Sequence, residues 1–184
     1  SSMVLPIVLA TPEAFIASEA RAQLLQGLMA GAMLCLLLYS LTQWVSVRET
    51  MFLNYGVTIA GTGLFFVAYS GLGPQHLWGN HDWLNVHVAP LAVLVAIVGG
   101  CLFIEKVLEI RSIQPWIARA LRVLSALAAA AAAAFAIDLI DYRTAQRLAT
   151  MLGPLPMLAA IPAAWLRARR GEQVGTYMLI GWGA

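Results

Sequence analysis

Charge is what this chain has least of. Only 11% of its 184 residues are Asp, Glu, Lys or Arg, whereas 61% are hydrophobic. A soluble domain of this length needs more polar surface than that, so lipid is the expected solvent. Cysteine is equally scarce. Cys35 and Cys101 both fall inside apolar runs and read as small packing residues rather than as a disulfide framework. The sequence shows no nucleophile and base pair, no Gly-rich phosphate loop and no basic aromatic stripe. These gaps argue against an enzyme within these residues and against a nucleic-acid partner, and no cofactor is implied.

What is present is a series of apolar runs. A helix needs about 20 apolar residues to cross the hydrocarbon core. Such runs extend from about Ala22 to Val47, Phe52 to Leu72, Val86 to Phe103 (with a possible extension to Leu108), Ile117 to Ile137, and Ala145 to Leu166. A sixth starts near Val174 and meets the end of the sequence at Ala184. The expected fold is all-α: a polytopic transmembrane helix bundle of five complete spans plus the start of a sixth. A chain that stops there reads as part of a longer one.

Direction follows from the basic residues, which favour the cytoplasmic side. The side reached after the first span carries Arg48, Lys106, Arg111, Arg119, Arg122, Arg167, Arg169 and Arg170, against Arg21, Arg143 and Arg147 on the other. This imbalance predicts an external N-terminus. Trp78 and Trp83 flank the second loop and read as interface anchors. Residues 1–10 contain a short apolar segment, Met3 to Ala10, which reads as a strand or linker ending an upstream domain. Thr11, Pro12 and Glu13 form a helix start: a capping hydroxyl, a first-turn proline and an acid at the positive end of the dipole. Residues 11–184 then form the membrane domain.

The polar residues leave several readings open. His76, His81 and His87, with Asp82, are a weak candidate metal set in the loop from Gly71 to Pro90. Their spacings fit neither one helical face nor a zinc signature, and a solvated interfacial loop is the stronger reading. Histidine also titrates near neutrality, so a pH-sensing role is chemically open. Glu105, Lys106 and Glu109 read as flanking charges of the third span, and Asp138 and Asp141 as partners for Arg143. No acid lies near the middle of any of the five spans, which weakens an ion-coupled transporter. Gly27 and Gly31 form a GxxxG that permits close helix approach, with a partner expected in the same bundle rather than in a second protomer. Pro154, Pro156 and Pro162 predict a kinked fifth span.

Several stretches together resemble a known family. Gly27-Leu28-Met29-Ala30-Gly31, Leu36-Leu37-Leu38-Tyr39-Ser40, Ser46-Val47-Arg48-Glu49 and Asn54-Tyr55 are similar to the first helix and following loop of the bacterial seven-transmembrane receptors with diverse intracellular signalling modules. Gly71-Leu72-Gly73-Pro74-Gln75-His76-Leu77-Trp78 resembles that family's Gly- and Trp-containing loop, and Thr11-Pro12-Glu13-Ala14-Phe15 the approach to its first helix. The resemblance covers about residues 11 to 184. Ser40 and Gly79 depart from the Asn and Pro common in the family. The resemblance implies the membrane segment of a receptor in the bacterial inner membrane. A periplasmic ligand would bind an upstream domain, and a cytoplasmic kinase, diguanylate cyclase or phosphatase would follow, acting as a homodimer. The alternatives are a small transporter or channel, for which Thr58, Thr62, Tyr69 and Ser70 are the clustered polar candidates, and a membrane assembly subunit.

Overall fold

The computed structural model describes residues 12–79 and 81–183, and the side chains of these except residues 12–19, 113, 179 and 181–183. Met3 to Ala10 and Thr11 lie outside the described residues. The architecture is an all-α bundle, with no strand among the described residues.

The chain forms α1 (Pro12–Val47), α2 (Thr50–Tyr69), a five-residue π-helical turn (Gly73–Leu77), α3 (Asp82–Val107) and a single helical turn, α4 (Ile110–Ile113). It continues as α5 (Pro115–Ala136), α6 (Tyr142–Leu152), α7 (Pro154–Arg169) and α8 (Gln173–Gly183). Among the described residues, five segments are long and apolar enough to cross a membrane: Ala20–Val47, Thr50–Tyr69, Asp82–Val107, Pro115–Ala136 and Tyr142–Arg169. All five expected spans are therefore present. The last is α6 and α7 together. Gly153 separates them and Pro154 opens α7, because a proline has no N–H to continue the ladder and crowds the preceding turn.

α3 is the central helix. Leu94 and Cys101 are fully buried, as are Pro90 and, past the helix end, Leu108. Around them pack Ile117, Leu121, Leu124 and Ala128 of α5 and the alanines Ala160, Ala163 and Ala164 of α7. The helix starts at Asp82, one turn before the expected Val86, and includes Pro90. The loop expected from Gly71 to Pro90 is correspondingly shorter. A proline is tolerated within a buried membrane helix because neighbouring groups take up the freed backbone.

Tight seams rest on glycines that sequence reading had not singled out. A Cβ on Gly61 of α2 would lie 2.7 Å from the Ala92 carbonyl oxygen and the Ala96 nitrogen of α3. One on Gly99 of α3 would lie 2.8 Å from the Thr58 nitrogen. α2 and α3 thus meet backbone to backbone, where only hydrogen fits. The Gly99-Gly100 pair inside an apolar run was the available signal.

α1 stands at the edge. Leu24, Leu28 and Leu38 are all well over half exposed, and Cys35 is exposed while Cys101 is fully buried. Its contact with α2 runs through Ser40, whose hydroxyl donates to the Phe52 carbonyl and touches the space beside Gly56. Gly27 and Gly31 face elsewhere: no atom of the chain lies within 4 Å of a Cβ built on either. The expected partner in the same bundle is thus not found among the described residues.

Candidate functional site

Two polar clusters sit at opposite ends of the bundle. The arginine-rich end is where α1, α3 and α7 finish and α2, α5 and α8 begin. Here Glu105 of α3 is 8% exposed. Arg122 of α5 grips it in bidentate fashion, Nε donating to Oε2 at 2.9 Å and Nη2 donating to Oε1. The fork of a guanidinium matches the two oxygens of a carboxylate, so this pair fixes orientation as well as distance. One turn on, Glu109 accepts from Arg167 Nη2 at 2.8 Å. Arg167 is itself only 8% exposed, and its Nη1 reaches Glu172 at 2.7 Å.

The sequence favoured ordinary flanking charges for Glu105, Lys106 and Glu109; exposed Lys106 and Glu109 fit that reading, and buried Glu105 does not. A carboxylate this deep needs its partners close. Together the two arginines tie α3 to α5, to α7 and to the turn before α8. The backbone assists: Glu109 adopts a left-handed conformation (φ 40°), which ends α3 and turns the chain into α4. A non-glycine residue held there marks a position fixed by its surroundings.

At the far end, His87 of α3 is 6% exposed. Its ring lies between Trp83 (centroids 4.4 Å, planes 9° apart) and Phe135 of α5 (4.6 Å). Nδ1 sits 2.9 Å from the Trp83 carbonyl oxygen and Nε2 2.8 Å from Asp138 Oδ1. The Trp83 carbonyl and the Asp138 carboxylate can each accept a hydrogen bond from the ring nitrogen that faces them. Together these contacts form a clasp between α3 and the α5–α6 turn. Asp138 is presented by a left-handed backbone (φ 57°) just past the end of α5.

This pairing corrects an expectation. Asp138 meets His87, not Arg143, because the turn after α5 carries it back toward α3. Asp141 accepts from the Thr144 hydroxyl in the first turn of α6. The Thr144 hydroxyl is the main reason its carboxyl is held below the ordinary value of 3.8.

The remaining sequence-predicted residues are dispersed. His76 lies in the π-helical turn and His81 precedes α3. Among the described residues, no three His, Cys, Asp or Glu side chains come together as a metal set. Trp78 folds over Gly73, where any Cβ would strike its ring, and its Nε1 donates to Asn85 Oδ1 at 2.9 Å. Trp83, 46% exposed, stacks on His87. Thr58 and Thr62 donate their hydroxyl protons to the carbonyls of Asn54 and Thr58, one turn back in α2.

The fold, its exposed apolar belts and its five spans define a multi-span helical membrane protein. The family model described as 7TM diverse intracellular signalling matches residues 22–184, and the chain belongs to that family. No curated protein and no solved structure matches the chain.

Proposed function

We propose that this chain is the transmembrane relay of a bacterial inner-membrane receptor. In this reading the N-terminus is periplasmic and the arginine-rich end faces the cytoplasm. A periplasmic ligand acts through an upstream domain, and a cytoplasmic output domain (kinase, diguanylate cyclase or phosphatase) acts as a dimer. The observation that carries the reading is the family match over residues 22–184, whose description is intracellular signalling. The excess of Lys and Arg on one side supports the orientation. The open apolar flank of α1, with Gly27 and Gly31 uncovered, supports a second copy as its neighbour.

Mechanistically, α3 connects the two polar clusters. A stimulus relays only if it binds two bundle arrangements unequally. Loosening the His87–Asp138 clasp frees α3 against α5 at one end. The Glu105–Arg122 and Glu109–Arg167 pairs then convert a shift of α3 into movement of α5, α7 and the turn leading into α8. Two experiments test this. Alkaline phosphatase fused at Gly79 is expected to be active and a fluorescent protein fused at Gly171 to be bright; the reverse pattern overturns the orientation. In the native bacterium, His87→Ala is expected to change the basal level of a phosphoprotein or cyclic dinucleotide. No change in either, with the variant present in the membrane at normal level, counts against the relay.

A further inference from the structure

A cavity of about 670 Å³ opens at the arginine-rich end between the first turn of α2, the last turns of α3, α4 and α5. Its lining includes Asn54, Leu102, Lys106, Arg111, Ser112 and the Glu105–Arg122 pair. We propose that it binds the phosphate group of an anionic phospholipid, with Lys106 and Arg111 as the phosphate ligands and Leu102 against the start of an acyl chain.

The charge layout carries the assignment. Two carboxylates reach this cavity, Glu105 and Glu109, and each is already gripped by an arginine, Arg122 and Arg167 respectively. Lys106 and Arg111 are exposed, and among the described residues no carboxylate lies within 4 Å of either. The acids are thus neutralised and two cations are left facing the same space. Ser112 has spent its proton on the Glu109 carbonyl, so the donors available to an anion are those of Lys106, Arg111 and the Asn54 amide, together with Arg122 Nη1, which the Glu105 pairing leaves unused.

Depth points to the source of the phosphate. Arg122 lies seven residues into α5 from Pro115, about 10 Å along the helix at 1.5 Å per residue. The cavity therefore runs from headgroup depth toward the hydrocarbon, polar at one side and apolar at Leu102. Basic pockets between helices on the side richer in Lys and Arg suit anionic headgroups, and a diffuse surface attraction would not need such a cavity. A second cavity of about 620 Å³, lined by Arg48, Thr50, Met51 and Val174, shares Lys106 and Glu109 with the first, so the lysine can be reached from either side. The proposal needs only that this end lies at a membrane surface; it does not rest on the receptor reading.

The test uses the whole chain purified in detergent, titrated with phosphatidylglycerol or phosphatidylcholine of equal chain length and followed by native mass spectrometry. Wild type is expected to hold one phosphatidylglycerol in preference to phosphatidylcholine. The double variant Lys106→Gln, Arg111→Gln is expected to bind it about 30-fold more weakly, the effect of two cations at a lipid surface. Both side chains are exposed, and an unchanged unfolding temperature confirms that the variant is folded. The double variant Arg119→Gln, Arg170→Gln removes equal charge from the same end outside the cavity lining, and is expected to keep near wild-type affinity. Equal weakening in both doubles, or no preference for phosphatidylglycerol, overturns the site. Inorganic phosphate binding as tightly as the lipid and displacing it overturns the lipid as the source.

Discussion

The two ends of this bundle are held by different kinds of polar contact. At the arginine-rich end, guanidinium groups, which stay charged across the ordinary pH range, hold carboxylates. At the far end, a buried histidine meets a largely exposed aspartate through a single Nε2–Oδ1 contact. The first end is held by several charge-assisted contacts and the second by one, and α3 contributes a residue to each.

Breaking the seam on which both ends depend has the largest expected effect. Gly61→Val puts side-chain atoms where the Ala92 and Ala96 backbones lie. Overpacking of this kind costs about 1–3 kcal/mol and more where backbone must move. The variant is expected to lose its cooperative unfolding transition in detergent, and both polar clusters with it; a normal transition would show that α2 and α3 part without penalty.

Breaking the arginine-rich end comes next. Arg167→Ala leaves Glu109 and Glu172 without their shared partner and removes a buried side chain. A loss of about 2 kcal/mol is expected, nearer the hydrogen-bond value for charged groups than the full buried-pair value, because both carboxylates are partly exposed. Chemical denaturation checks it. Arg167→Lys is expected to recover only part, since a point charge cannot serve both acids as a fork does.

The far end should be weaker. His87→Ala removes the polar contacts to the Trp83 carbonyl and Asp138 and two aromatic contacts, each aromatic pair being worth about 0.5–1.5 kcal/mol. His87→Phe keeps the stack and loses only the polar contacts, so the difference between the two variants in unfolding free energy separates the terms. Asp138→Asn should do less: the amide keeps a hydrogen-bonding group beside Nε2 and removes only the charge, and a loss of under about 1 kcal/mol is expected in chemical denaturation. A loss as large as that of His87→Ala would show that the carboxylate charge carries the contact.

Asp141 gives the smallest effect. Its carboxyl is held low by the Thr144 hydroxyl, so the bond contributes above the ordinary titration of an aspartate and is lost as pH falls through the lowered value. Thr144→Val is expected to leave neutral-pH stability nearly unchanged, and to shift the Asp141 titration back toward 3.8 as followed by NMR.

The spans were legible because a bilayer demands long apolar runs, and such runs are read without knowing any tertiary contact. Pro154, Pro156 and Pro162 signalled a departure from a straight fifth span, but not that the break falls at Gly153 and Pro154 while Pro156 and Pro162 stay within α7. The start of α3 was not legible: the apolar run begins near Val86, and the first helical turn, Asp82 to Asn85, carries two polar residues that read as loop. Glu105 and Arg122 stand 17 residues apart, and Glu109 and Arg167 58 apart. No periodicity within one helix brings such pairs together; only the packing of α5 and α7 against α3 does. Asp138 was misassigned to Arg143 because neighbours in sequence seem natural partners, whereas its left-handed turn aims it at another helix. Close approach within the bundle is made at Gly61 and Gly99, where helices cross, while Gly27 and Gly31 lie on the open flank of α1.

The most direct test of coupling between the ends is a distance. Spin labels on cysteines placed at Arg119 of α5 and Arg170 after α7, in a Cys35→Ser background, report the arginine-rich end by double electron–electron resonance in lipid nanodiscs. With the far clasp opened by Asp138→Ala, the distance distribution is predicted to shift or gain a second population relative to the same labelled chain with Asp138 intact. An identical distribution in both would contradict the account, since the two ends would then be joined by one helix without either sensing the other.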